Sequence, residues 1–394
     1  MKLKTDFRLK LNNTDLVIVG SGLFGLTVAE QAANITGSNV LVLERRDHIG
    51  GNAHSYLEAN SQIEVHRYGS HLFHTSNPRV WEYVSKFTTF NNYVHRVLTT
   101  HKNKVYSMPI NLSTICAFYN KVLTPNEAKD LISKEVKLDA IGNPRNFEEK
   151  AISLIGRPLY EALIKNYTYK QWQTEPFDLP MEVITRLPIR YNFNSRYFSD
   201  RWEGLPINGY PQWFSNMVTN KKIQIEFDTD FFDIRDLIPK SIPIVYTGPI
   251  DRYFNFSAGH LGWRTLDFSI DLIPTEDFQG ISVMNYADLD TPYTRIHEFK
   301  HLHPERNYSD QSTVIMREFS RFSQREDEPF YPINSSTDRN TLKAYRELIS
   351  KESNTFFGGR LGSYQYLDMH MAIASALQLF SDKILPMLIK NKSN

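Results

Sequence analysis

The sequence predicts an α/β protein whose parallel-sheet domain is assembled from both ends of the chain. A helical block and an antiparallel sheet are inserted between those ends. Three observations predict this. An apolar, β-branched run leads into a glycine turn at Leu16-Val-Ile-Val-Gly-Ser-Gly-Leu-Phe-Gly25. A second strand and glycine turn, Thr355-Phe-Phe-Gly-Gly-Arg-Leu-Gly362, stands near the other end. Between them, apolar spacing is helical from about 110 to 175 and strand-like at 263–272, 279–287, 293–302 and 311–319.

Residues 1–14 read as a polar extension with little order of its own. Leu16 to Val19 fits a strand buried on both faces of a parallel sheet. Gly20, Gly22 and Gly25 have the spacing that permits a tight turn, lets a pyrophosphate approach the backbone, and lets the next helix (23–35) pack closely on the strand. Asn39-Val-Leu-Val-Leu-Glu44 reads as the second strand, ending in an acid placed to bind a ribose hydroxyl. Gly50-Gly51-Asn52 suits a loop running along an extended cofactor. His71 and His74 are three residues apart, but no third ligand is apparent, so no metal site is expected and a polar-pocket role is preferred.

Thr124 followed by Pro125, and Asn146 followed by two acids, mark helix starts, and Pro158 to Trp172 reads as a third helix. Residues 173–190, interrupted by Pro176, Pro180 and Pro188, form a lid-like loop. Tyr191 to Asp200 alternates like a strand, and Ile242 to Asp251 is a strand and turn able to return to the parallel sheet. A helix is expected at about 367–381, with Arg360 available to a pyrophosphate. Cofactor-type elements at both ends favour a long dinucleotide, FAD, over NAD. The expected organisation is therefore a discontinuous Rossmann-like FAD-binding domain (15–85, 204–254 and 333–394) with two insertions. These are a helical substrate domain (110–180, its loop reaching about 190) and an antiparallel sheet domain (86–109, 191–203 and 255–332).

Bulk composition narrows the function classes. The chain has 394 residues, with Lys+Arg 45 against Asp+Glu 44, a balance that does not point to nucleic acid. Cys116 is the only cysteine, which excludes an intrachain disulfide and thiolate metal clusters. Neither a signal-type N-terminus nor an unbroken apolar run of membrane-spanning length is seen, so a soluble, cytoplasmic protein without a membrane span is expected. The 21 tyrosines and 25 phenylalanines suit a lined cleft as well as a core.

Eight separated stretches carry a specific resemblance over residues 15–380. Besides the first glycine turn they are His48-Ile-Gly-Gly-Asn52, Gly69-Ser-His-Leu-Phe-His-Thr75, Tyr167-Thr-Tyr-Lys-Gln-Trp172, Tyr197-Phe-Ser-Asp-Arg201, Tyr246-Thr-Gly-Pro-Ile-Asp251, Pro292-Tyr-Thr-Arg295 and Phe357-Gly-Gly-Arg-Leu361. Together they resemble the prokaryotic UDP-galactopyranose mutases. The resemblance implies an isomerase that interconverts UDP-galactopyranose and UDP-galactofuranose without net redox change, in the service of galactofuranose and cell-surface polysaccharide synthesis. In that family N5 of reduced FAD attacks the anomeric carbon and displaces UDP, and a flavin–sugar iminium allows ring contraction. An external electron donor and a homodimer are implied in the same way.

By the same resemblance Arg186 and Arg295 hold the diphosphate and, with His74, carry catalysis. Tyr167, Thr168 and Trp172 take the uridine, Tyr197, Tyr331 and Tyr366 stand near the diphosphate, and Asp368 lies near flavin and sugar. The cofactor set is Gly20, Gly22, Phe24, Gly25, Glu44, Arg45, Gly51, Asn52, His71, Gly359, Arg360, Asp368 and Met369. His95 departs from the family's usual Asn near the uridine. Two alternatives share the glycine turn: an FAD-dependent oxidoreductase of the amine-oxidase or desaturase type, and a non-catalytic nucleotide-sugar binder. The arginine and tyrosine motifs weigh against both.

Overall fold

Leu16–Val19 (β1) and Val40–Leu43 (β2) consist of four apolar residues each, and every one is buried. Such strands have no face for water, so both must be central in a covered parallel sheet. The computed structural model, which describes residues 2–184 and 189–393, places them side by side in register from Leu16↔Val40 to Val19↔Leu43. Ile244–Tyr246 and then Thr355–Phe357 extend the sheet beyond β1, and Ile223–Glu226 extends it beyond β2. All four pairings are parallel. Segments from the start, middle and end of the chain thus share one sheet.

Gly20 follows β1 with φ +100°, a conformation that side chains disfavour. Helix α2 (Leu23–Thr36) then packs so tightly that a Cβ on Gly25 would lie 2.1 Å from the Gly20 carbonyl oxygen. Ala29, Ala32 and Ala33 let this helix sit close beneath the sheet, where Ala376, Phe380, Ile384 and Leu388 of the C-terminal helix join the same cluster. That last helix runs from Met369 to Lys392, much further than expected. Among the described residues it is the one helix long and apolar enough to cross a membrane, and 33% of its most apolar window is buried. Reading for unbroken apolar runs misses it, because Gln378 and Ser381-Asp-Lys383 interrupt the apolar positions without lowering the mean enough.

The inserted block forms a seven-stranded sheet. Its order is Tyr331–Pro332, Trp263–Ile273, Thr313–Phe322, Arg295–Glu298, Val283–Tyr286, Val97–His101 and Lys104–Met108. It is antiparallel except where Val283–Tyr286 runs parallel to Val97–His101. Helices Leu112–Tyr119, Pro125–Asp139, Phe147–Ile155 and the run from Arg157 to Trp172 form a separate core with one end of this sheet, around Tyr160, Phe147 and Leu163. Thr124 and Asn146 cap their helices through side-chain acceptance from Glu127 N and Glu149 N.

Two local expectations are corrected. Tyr191 to Asp200 is not a strand: Asn192 and Asn194 accept from the amides of Asn194 and Arg196, and these side-chain turns take the backbone away from a ladder. Residues 1–14 are not loose either. Lys2–Leu11 is a helix, α1, and Phe7 and Leu11 lie on one face, buried against Val17, Val19, Leu41 and Leu43. Leu3, Phe7 and Leu11 recur every four residues, but Lys2, Lys4, Arg8 and Lys10 make the decapeptide read as polar and mask that period. Phe7→Ala should lower unfolding free energy by about 3 kcal/mol, as for other buried aromatics. Urea titration checks this, and a loss under about 0.5 kcal/mol, the surface-substitution range, would show α1 to be incidental.

Candidate active site

The parallel sheet opens onto a cavity at the C-terminal ends of its strands, where ligands of open α/β sheets bind. Gly20, Gly22 and Gly25 line it, with Phe24 at its edge. An added Cβ on Gly22 would meet nothing within 4 Å, so the turn itself leaves room for a ligand against the backbone. Glu44, at the end of β2, accepts from Ser21 N and Oγ at 2.8 and 2.7 Å and from Arg46 N at 2.9 Å. These bonds pin its carboxylate at the cavity wall. Arg45, Gly51 and Asn52 continue the wall, and Gly359, Arg360 and Met369 close it from the far end of the chain. A Cβ on Gly358 would fall 2.1 Å from the Phe24 ring, which explains the second glycine turn as a close approach between the two ends.

A second cavity, about 330 Å³, lies between the inserted blocks and the sheet domain. Tyr167, Thr168 and Trp172 reach it from the Asn166–Trp172 helix, and Tyr197, Arg295, Tyr331, Tyr366, Asp368 and His74 from other elements. His71, Arg360 and Met369 line both cavities, so the two share a wall. Arg186 lies outside the described residues.

The electrostatics of the second cavity centre on Arg295. Its Nη2 donates a short bond to the Tyr167 hydroxyl, and its Nε lies 3.3 Å from Glu318 Oε1. Burial opposes the guanidinium charge, yet Glu318 and the surrounding phenols hold its pKa above the usual value. Glu318 is the converse case: burial raises its pKa, but Arg295 and His297 outweigh it and hold the carboxyl at about 2. Burial pushes the Tyr167 phenol up to about 12, so it remains a hydrogen-bond donor. His74 donates from Nδ1 to Asp200 at 2.8 Å, stacks on Phe198 at 3.7 Å, and has Nε2 3.9 Å from Asp368. The stretch Tyr197-Phe-Ser-Asp200 therefore both lines the cavity and orients this histidine. His370 joins His74 and Asp368 to bring three ligand-type atoms within 4.8 Å, a grouping invisible in the spacing of His71 and His74.

The comparisons bear on what such a pair of cavities belongs to. A family model described as UDP-galactopyranose mutase matches residues 162–366, and one described as an NAD(P)-binding Rossmann-like domain matches 18–87. A protein named "Probable UDP-galactopyranose mutase" from Klebsiella pneumoniae is 40% identical, over 93% of this chain and 94% of that one. The chain belongs to the UDP-galactopyranose mutase family.

Among other relatives, an Escherichia coli dTDP-fucopyranose mutase is 36% identical over 92% of this chain and 96% of its own. A Mycoplasma genitalium UDP-galactopyranose mutase is 33% identical over 94% and 95%. A crystal structure of reduced UDP-galactopyranose mutase superposes with a TM-score of 0.70 over 95% of this chain and 94% of its own, at 15% identity. A putative protoporphyrinogen oxidase from Exiguobacterium superposes at 0.61 over 95% and 99%, also at 15% identity. At such identities the two structures speak to the fold alone.

In this mutase-family chain Lys170 and Glu328 had no sequence signal of their own, and His95 was singled out only as a departure from the family. Lys170 places its Nζ 2.7–3.0 Å from the carbonyls of Tyr286, Asp288, Thr291 and Tyr293. It thereby ties the helix carrying Tyr167, Thr168 and Trp172 to the loop that leads into Arg295. Glu328 straps back onto the first cavity, pairing with Arg45 at 2.5 Å and Arg46 at 3.0 Å. His95, buried and pushed down to about 3 by burial, meets Tyr93 OH at 3.0 Å and packs beside Tyr197 and Phe198 rather than among the apolar residues at the Phe147 end.

Glu318 also gives a pH prediction. Its folded pKa, about 2, lies below the ordinary glutamate value of 4.5, so its stabilisation is present above 4.5 and is lost as pH falls toward 2. Glu318→Gln should flatten the acid limb of the stability–pH curve below 4.5. An unchanged acid limb in urea titrations at stepped pH would contradict the pairing.

Proposed function

We propose that this chain interconverts UDP-galactopyranose and UDP-galactofuranose, with FAD in its reduced form held in the first cavity and the nucleotide sugar in the second. The observation that carries this reading is the wall the two cavities share at His71, Arg360 and Met369. It lets a cofactor and a sugar meet while the nucleotide lies elsewhere. The first cavity fits a dinucleotide by its own chemistry. The open face of Gly22 and the amides at the start of α2 receive a pyrophosphate, Glu44 receives a ribose hydroxyl, and Arg360 adds charge from the far end. Bound there, reduced FAD would supply a nucleophile toward the anomeric carbon, and an external electron donor would keep it reduced.

The chain's own groups do the rest. Arg295, with Arg186 assigned on the resemblance, takes the negative charge that develops on departing UDP, which a guanidinium fork fixed in a cleft is suited to do. Tyr197, Tyr331 and Tyr366 add phenolic donors around the diphosphate. Trp172 offers a stacking plane and Thr168 a hydroxyl to the uridine. Asp200 fixes a proton on His74 Nδ1, because a carboxylate can only accept, and so sets which edge of the ring faces Asp368. An oxidoreductase of the amine-oxidase type calls for an apolar substrate channel. Two guanidiniums, Arg295 and Arg360, and five phenols on the lining instead suit a polar diphosphate.

Arg295→Ala should lower kcat/KM about 100-fold or more, the scale of losing one transition-state donor, while the flavin spectrum stays intact. Activity near the unmodified level would sink the diphosphate assignment. Gly22→Val projects into open space, so it should fold yet purify without colour. A normal flavin spectrum in that variant would refute the glycine-turn site.

A further inference from the structure

On the strand Arg295–Glu298, Arg295 and His297 point to the same face, because side chains two apart on a strand do. The neighbouring strand places Glu318 directly opposite Arg295. One carboxylate therefore serves both residues. Its Oε1 lies 3.3 Å from Arg295 Nε, and its Oε2 lies 3.1 Å from His297 Nε2. The other ring nitrogen of His297 meets Ser70 Oγ at 2.7 Å. Ser70 belongs to the turn Gly69-Ser70-His71, and His71 is part of the wall between the two cavities. The backbone of that turn is held from its other side, His71 N donating to His66 Nδ1 at 3.0 Å and Tyr210 OH donating to the His71 carbonyl at 2.7 Å. Ser70 is thus the turn's side-chain connection to the sheet that carries Arg295.

The protons in this chain have one arrangement. Glu318 is ionised and can only accept, so His297 Nε2 must carry a hydrogen. His297 is 2% exposed and burial keeps its pKa below the usual value, so the ring is neutral and Nδ1 bears no hydrogen. Ser70 must then donate to Nδ1. The order is Ser70 to His297 to Glu318, with Arg295 on the far side of the carboxylate. A diphosphate arriving at Arg295 competes with Glu318 for the guanidinium. The carboxylate then leans more heavily on its remaining donors, Thr294 on Oε1 and His297 on Oε2, and the pull through His297 reaches Ser70 and the turn.

We propose that His297 is a positioning residue that couples occupancy of Arg295 by the substrate's diphosphate to the Gly69-Ser70-His71 turn beside the cofactor, so that nucleotide binding and flavin reduction influence each other. This rests on the FAD and UDP reading above. Because coupling is reciprocal, the ratio of UDP affinities for the reduced and oxidised holoenzyme measures it.

The test titrates UDP against oxidised and dithionite-reduced holoenzyme for the unmodified chain, His297→Leu, His297→Gln and Ser70→Ala. The unmodified enzyme should show a ratio different from one. His297→Leu should bring that ratio roughly fivefold closer to one, within the range for residues along a coupling path. Glutamine keeps an N–H for Glu318 and an acceptor for Ser70, so His297→Gln should retain most of the ratio. Ser70→Ala should lose it, and combining Ser70→Ala with His297→Leu should add little, as for two members of one connection. The same ratio in Ser70→Ala as in the unmodified enzyme overturns the proposal, and so does a ratio of one in the unmodified enzyme. An unmodified chain that binds no flavin, or no UDP in either state, overturns the functional reading instead, so the two failures are distinct.

Discussion

A guanidinium and a carboxylate facing each other across two strands set the character of the substrate cavity. Removing the Glu318 carboxylate from water costs several kcal/mol, and its attraction to Arg295, whose side chain stays 30% exposed, offsets this only when the geometry is good and the remaining donors and acceptors are satisfied. Here the supports are present. Glu318 receives His297 and Thr294 as well as Arg295, and Arg295 reaches Tyr167. The consequence for binding is that Arg295 is already largely neutralised by Glu318. A doubly charged diphosphate needs a further cation, and Arg186, assigned on the resemblance, is the group the reading gives to that need, while Arg360 on the shared wall is given to the cofactor.

The fold makes this cavity possible by bringing distant stretches to one place. β1, at the centre of the parallel sheet, takes strands from residues 223–246 and 355–357 around it. The two glycine turns then face each other, with the Phe24 ring on Gly358. The inserted sheet carries Arg295 and Glu318, and the helical block carries Tyr167, Thr168 and Trp172. Lys170 fixes these two blocks to each other through four carbonyls. Burial pushes its ammonium down to about 8, while the Asp288 and Asp290 carboxylates favour its charged form. A neutral residue at this position would leave those carbonyls short of a donor.

Much of the cofactor side was legible in the sequence because it depends on local backbone geometry. Gly20 needs a positive φ and Gly25 a close helix approach, and only glycine meets either demand at no cost. The substrate side was legible chiefly through the resemblance. Within a strand, Glu318 and His297 look like ordinary alternating polar positions, and only the pairing register shows that they share Arg295. Lys170 likewise reads as a solvated helix residue until the 286–293 loop wraps it. The misreadings at 1–14 and 191–200 have different causes: tertiary burial of Phe7 and Leu11 orders the first, and local asparagine side-chain turns displace the ladder in the second.

The central claim is that a cofactor and a nucleotide sugar meet across one wall and exchange a bond without net oxidation. Incubating UDP-galactofuranose with dithionite-reduced and with oxidised holoenzyme, and separating the products by anion-exchange chromatography, tests it most directly. The account predicts a UDP-galactopyranose peak with reduced enzyme, many turnovers per flavin, and almost none with oxidised enzyme. No such peak with reduced enzyme, or one that stops at a single turnover per flavin, would contradict it.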